Sequence, residues 1–251
     1  MYIEHNHFSG IWVTTFQHVT TSPDPSGALR TLLWNLSLLF FLLATTYSIM
    51  ADSALDVRMS SAEIKQLGDK YGEMAERRLK AWQQLMVEIA DQSEDEKLFR
   101  VNRFFNQLQF VDDIIHWKKS DYWASPVEFL ISNGGDCEDF SIAKYYTLRQ
   151  VGVPIEKLSI AYVKALRLNQ AHMVLTYYPS PSATPLILDN LIPEIKPASR
   201  RPDLAHVYSF NGDNLWLSKK GRRSTLVGTS DQLKPWVQLR SRMENQDINL
   251  K

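Results

Sequence analysis

The chain of 251 residues contains one cysteine, so it cannot close an internal disulfide, and that count leaves the redox compartment open. It also lacks net charge, with 28 Lys+Arg against 28 Asp+Glu, so no overall field draws it to nucleic acid. Zinc-ligand spacing is missing, since there is one cysteine and no H-E-x-x-H run. The D-x-[DN]-x-[DN]-G loop of an EF-hand is missing too, so a calcium site would have to be built some other way. Neither an internal repeat nor a low-complexity tract is found. The basic cluster Lys219-Lys220-Gly221-Arg222-Arg223 surrounds a glycine and reads as a solvated turn rather than a phosphate-binding patch.

What is present includes enough apolar material, 44% with 11% aromatic, for a substantial core. Residues 31–51 carry no charge, a length that suits a transmembrane helix or the apolar region of a secretion signal. A buried core helix is the competing reading, but such helices rarely stay uncharged on every face. Arg30 before the segment and Asp52 and Asp56 after it orient the remainder outwards. The expected organisation is a loop-like leader over 1–30, disordered or translated from a start set too far upstream. A signal peptide or membrane anchor follows over 31–51, then an exported catalytic domain over 52–251.

Within that domain Ser60-Ser61-Ala62-Glu63 has the form of a capping box opening a long helix towards Ala90. Ser93 and Glu96 repeat the pattern, and Leu98, Val101, Phe105 and Leu108 then recur at helical spacing. Ser125-Pro126-Val127-Glu128 opens a short helix that the sequence ends at Gly134-Gly135. A further helix runs from about Asp136 to the stop at Gly152 and Pro154. Strands are expected over 158–166, 171–178 and 185–191, and the turn residues Asn211-Gly212-Asp213-Asn214 mark a hairpin. Helices first and an antiparallel sheet second give an α+β fold.

The cysteine stands in Gly134-Gly135-Asp136-Cys137-Glu138-Asp139. In the first turn of a helix, the positive end of the dipole lowers a thiol's pKa, and the glycines let the backbone turn sharply. A nucleophilic thiol needs a base. Of six histidines, His5, His7 and His18 precede the charge-free segment, His116 sits in an acidic stretch, and His206 follows a loop around Pro202. His172 lies near the start of a strand, and Asp189 ends the next apolar run. If those strands pair antiparallel, the carboxylate lies beside the imidazole and fixes its tautomer. The competing reading makes Cys137 a buried hydrophobe and His172 a satisfied core residue. Asp136, Glu138 and Asp139 fall within one turn; they either cap the helix or converge on a hard cation such as Ca²⁺.

From residue 121 to 154 the sequence DYWASPVEFLISNGGDCEDFSIAKYYTLRQVGVP resembles the signature of the bacterial transglutaminase-like cysteine proteinases. Trp123, Pro126 and Glu128 precede the Gly135–Asp139 core, Lys144 and Tyr145 follow on the helix, and Val151-Gly152 closes it. The runs AHMVL and LILDNL are similar to the family's histidine and aspartate strands, and the likeness extends over roughly residues 54–217. It implies a papain-like fold, with Cys137 as nucleophile, His172 as base and then acid, and Asp189 orienting the ring. It also implies calcium dependence through Asp136 and Glu138, with Asp139 as a third candidate ligand. The implied setting is the periplasm. There the substrate would be the N-terminal region of a large surface adhesin, cut at paired alanines to disperse a biofilm. The implied regulator is an inner-membrane receptor that binds cyclic-di-GMP inside the cell and sequesters the protease outside it. A transglutaminase-type acyl transferase and a non-catalytic calcium-binding module are the alternatives.

Overall fold

A computed structural model describes residues 56–219, 222–246 and 248, so the expected leader and the charge-free segment over 31–51 lie outside the described residues. Among the described residues no helix is long and apolar enough to cross a membrane.

Helix α1 (Ser61–Tyr71) begins with a reciprocal cap. Ser60 Oγ accepts from the Glu63 N–H at 3.2 Å, and Glu63 Oε2 accepts from the Ser60 N–H at 2.7 Å. The sequence suggests one helix continuing towards Ala90, but Gly72 at φ 100° divides it, and α2 (Glu73–Ile89) resumes on the far side. Such a φ suits glycine because a Cβ would crowd the backbone there. Helix α3 (Glu94–Phe105) is capped by Ser93, and its stripe Leu98, Val101 and Phe105 is buried. Trp82 on α2 donates to Thr147 Oγ1 at 2.9 Å, which ties this layer to the central helix α6 (Cys137–Gln150).

Between α3 and α6 run β1 (Gln109–Phe110), the short α4 (Asp113–His116), α5 (Pro126–Ser132) and β2 (Gly134–Gly135). Proline at the start of α5 costs no hydrogen bond, since the first N–H of a helix has no partner within it. Asn133, at φ 64°, ends this helix, not the glycines. Those glycines pair in parallel with Gln109 and Phe110.

After α6 comes the sheet: β3 (Leu158–Ala165), β4 (Gln170–Tyr177), β5 (Leu186–Leu188), β6 (Lys196–Pro197), β7 (Leu204–Phe210), β8 (Asn214–Lys219) and β9 (Arg222–Thr229). Its order is β6-β5-β4-β3-β7-β8-β9, with every pairing antiparallel. Helices packed on an antiparallel sheet give the expected α+β architecture. His206, which follows the loop around Pro202, lies inside β7. The basic cluster links β8 to β9, which the sequence reading did not identify as a strand. It also overlooked α7 (Lys234–Glu244), whose Trp236 is fully buried against Tyr145, Tyr146 and Phe210. Truncating a tryptophan packed this way costs about 3–5 kcal/mol, so α7 is part of the core. The helix layer places the start of α6 beside β4, and there the notable chemistry gathers.

Candidate active site

Cys137 is the first residue of α6, and close backbone packing sets its place. A Cβ on Gly135 would stand 2.0 Å from Asp139 Oδ2, and one on Gly134 would stand 2.7 Å from the Gln109 carbonyl oxygen. The glycines therefore serve close approach, and neither has the positive φ that a sharp turn would need. Asp139 cannot retreat: it is fully buried, with Oδ1 accepting from the Ala124 N–H at 2.7 Å and Oδ2 from the Asp136 N–H at 3.3 Å. The segment before α5 is pinned again by Glu128, whose carboxylate accepts from Tyr122 Oη at 2.6 Å and the Ser125 N–H at 2.8 Å. Arg242 from α7 donates to the Trp123 carbonyl. Trp123 itself stacks on Phe210 at 5.5 Å and hydrogen-bonds Asp121, so its side chain is engaged by the fold.

The thiol lies in a contest of charges. Cys137 Sγ donates to Glu138 Oε2 at 3.1 Å. Burial pushes the thiol well up, Glu138 and Asp136 push the same way, and the Met173 N–H on β4 opposes them. The helix dipole, from which a lowered value was expected, does not prevail over two carboxylates in this arrangement.

His172 and Asp189 come together because β4 and β5 pair antiparallel, Leu175 opposite Leu188. His172 Nε2 lies 2.8 Å from Asp189 Oδ1, and both residues are buried. The Leu191 N–H donates to the same oxygen at 3.0 Å, and Arg201 Nη2 donates to Asp189 Oδ2 at 2.8 Å. Burial alone would raise the Asp189 carboxyl; His172, the Leu191 N–H and Arg201 outweigh it and hold the group down at about 2. Cys137 and His172 line one cleft of about 710 Å³, together with Trp123, Tyr162, Met173 and Tyr208. Lys144, two turns along α6 from the thiol, is buried; burial lowers its ammonium to about 7, against the field of Asp189.

Beside the thiol, acids converge. Ligand atoms of Asp113, Asp121 and Glu138 lie within 4.8 Å of one another, as do those of Asp136, Cys137 and Glu138, and those of Asp113, Asp136 and Asp139. Burial raises Asp113 to about 6, with Glu138 and Asp121 adding to it. Asp136 is driven well above the carboxylate range by burial and then by Glu138. Asp113 Oδ1 and Asp136 Oδ1 are buried with no hydrogen-bond partner. Orphaned carboxylate oxygens facing one another fit a hard, oxygen-seeking cation. Asp136 and Glu138 belong to this group as the sequence suggested. Asp139 touches it, yet both its oxygens already serve backbone N–H groups. Asp113 and Asp121 were missed; their only mark in the sequence is the acidic character of the stretches around His116 and Tyr122.

The family model for bacterial transglutaminase-like cysteine proteinases matches residues 73–218. Solved structures of LapG from Legionella pneumophila are similar. The EGTA-treated form is 47% identical, with a TM-score of 0.66, and the match covers 74% of this chain and 98% of that one. The calcium-bound form is 46% identical, with a TM-score of 0.64, covering 74% and 99% respectively. No curated protein matches. With more than half of its length matched by the family model, the chain belongs to the bacterial transglutaminase-like cysteine proteinases.

Proposed function

We propose that the protein is a calcium-dependent cysteine endopeptidase of the periplasm. Its substrate is the N-terminal region of a large surface adhesin, cut at paired alanines and so released to disperse a biofilm. An inner-membrane cyclic-di-GMP receptor holds it in check. The observation that carries the chemical part is the buried His172–Asp189 pair opening onto the same cleft as Cys137 at the start of α6. The charge-free residues 31–51 support export. The likeness to a LapG solved with calcium supports the metal, and the adhesin and the receptor rest on the family resemblance.

With Nε2 committed to Asp189, Nδ1 of His172 is the nitrogen left to take the Cys137 proton. The thiolate attacks the scissile carbonyl carbon, a C–S bond forms, and N–H groups at the start of α6 face the developing oxyanion. The C–N bond breaks as His172 returns its proton to the leaving amine. Water then adds to the thioester with His172 accepting its proton, and the carboxylate product departs as the thiol re-forms. Asp189 keeps the ring in one tautomer throughout. Asp113, Asp121, Asp136 and Glu138 would hold the calcium, with Asp139 fixing the loop beneath them. When bound, the ion supplies positive charge where acids otherwise oppose the thiolate.

The test is cleavage of an adhesin N-terminal fragment, followed by mass spectrometry with and without chelator. Cys137→Ala and His172→Ala should each lower cleavage by at least about a thousandfold with the fold retained. Chelator should abolish cleavage and added Ca²⁺ restore it. Wild-type cleavage by either variant would refute the endopeptidase. Incorporation of an added amine in place of cleavage would make the protein an acyl transferase.

A further inference from the structure

Arg201 is a buried cation that the cysteine–histidine–aspartate scheme leaves without a role. Its side chain is 3% exposed. One arm of the guanidinium, Nη2, donates to Asp189 Oδ2 at 2.8 Å and to Asp203 Oδ2 at 2.8 Å, while Nε donates to Asp203 Oδ1 at 3.0 Å. Asp189 is thereby gripped on both oxygens: Oδ1 by His172 and the Leu191 N–H, Oδ2 by Arg201. Its backbone carbonyl accepts from the side chain of Asn106, the residue that ends α3, at 2.8 Å. The far end of the chain of charges is anchored too. The Arg201 N–H bonds the Ala198 carbonyl at 3.0 Å, and the Asp203 carbonyl accepts from the Leu166 N–H at 2.8 Å.

We infer that Arg201 is a positioning residue, which clamps Asp189 so that Oδ1 stays on His172 Nε2 and the ring keeps its angle to the cleft. This rests on the reading of His172 and Asp189 given above. A carboxylate held by one partner can rotate about its Cβ–Cγ bond and exchange its oxygens; one held on both oxygens cannot, and the imidazole it orients inherits that rigidity. The arrangement has the form expected of a device for geometry rather than stability. Buried ion pairs commonly add nothing over apolar side chains of the same volume, yet they fix orientation. Lys144 on α6 also bears on Asp189 through its field, but it forms no ion pair with it within 4.0 Å and sets no direction.

The chain's single cysteine makes the test direct, because iodoacetamide alkylation reads one thiol without any substrate. With calcium saturating, Arg201→Met should slow alkylation of Cys137 by about tenfold to a hundredfold, the scale of a lost charged hydrogen bond. The low-field proton resonance of the His172 ring N–H should broaden or vanish in the same variant. Arg201→Lys restores the charge and one contact, and should recover at least half of the logarithmic loss. A merely structural role would lower the melting temperature and leave both the resonance and the rate in place, overturning the inference. Should Arg201→Met fail to fold, Asp203→Asn, at a partly exposed position, loosens the same clamp and should slow alkylation by about threefold. An unchanged rate and resonance there would also overturn it. His172→Ala separates the two levels: wild-type alkylation in that variant refutes the catalytic pair itself, whereas slow alkylation beside a normal Arg201→Met refutes only the clamp.

Discussion

Asp189, buried, and Asp136, half-buried, are aspartates within reach of the same cleft, and their surroundings drive them opposite ways. Asp189 has a cation or an N–H on every side, and its carboxyl is held at about 2 in spite of burial. Asp136 has Glu138, Asp139 and Asp113 for neighbours, an oxygen with no partner, and a carboxyl driven far up by burial and then by those acids. Loss of water raises both, and Asp189, the more buried, is nevertheless the one held down, so the partner's charge decides the outcome. One half of the site is electrostatically finished as the chain folds. The other keeps its acids together, and the calcium proposed above would supply the charge that opposes them.

The largest expected effect comes from making the same substitution at both. Asp189→Asn leaves Arg201 buried beside a neutral amide and should cost about 3–5 kcal/mol of stability, measured by urea unfolding. Asp136→Asn removes the cost of burying, or of protonating, a carboxyl that its neighbours repel. In chelator it should leave stability unchanged or raise it by about 1 kcal/mol, while abolishing the rise in melting temperature expected of the parent protein on adding Ca²⁺. Equal losses at the two positions would end the comparison.

Gly135→Ala tests how tightly the unfinished half is joined to the thiol. The added methyl would stand 2.0 Å from an Asp139 oxygen that is itself fixed by the Asp136 N–H, so one of these must move. Overpacking of this kind costs about 1–3 kcal/mol. It should also weaken Ca²⁺ binding, read by calorimetry, because displacing Asp139 disturbs the Asp136 backbone. A variant with parental stability and parental affinity would show that the loop has slack.

How much of this could be read from the sequence follows the same division. Ser60, Ser93 and Ser125 were identifiable as caps because a cap is a local rule, complete within four residues. Cys137, His172 and Asp189 could be singled out because each ends or begins a regular element, and antiparallel neighbours bring the last two within hydrogen-bonding distance. Gly72 was overlooked because the apolar period continues across it, and a φ of 100° leaves no mark on the pattern. Arg201, Asp113 and Asp121 were missed for a different reason. Arg201 and Asp121 stand outside regular helix and strand, Asp113 opens the four-residue α4, and no periodicity records which group such a residue meets in the fold. Strand β9 and helix α7 lie beyond the family resemblance. No motif marks that stretch, although Trp236 on α7 is as buried as any residue in the core.

The smallest effect concerns pH, and its sign distinguishes the two halves. In chelator the folded Asp113 carboxyl titrates at about 6, above its ordinary value of 3.8. The native state therefore binds this proton more tightly than the unfolded chain, and stability falls as pH rises through that window. Asp189 behaves in reverse. Its folded value of about 2 means that it contributes stability above 3.8, which is lost only as pH falls towards 2. From pH 4 to 6 Asp189 is ionised and nearly silent, so the two halves do not overlap there, and the comparison with saturating Ca²⁺ subtracts groups away from the acids, such as His206. The melting temperature in chelator, relative to that in saturating Ca²⁺, should drop by several degrees across this interval, on the scale of about 2–4 °C per kcal/mol. Calcium bound by these acids would displace the same protons, so its stabilisation should grow over the interval as theirs declines. Asp113→Asn should flatten the difference between the two curves. A difference that shrinks with pH would mean that the acids beside Cys137 find their countercharge within the chain, and that they need no ion at all.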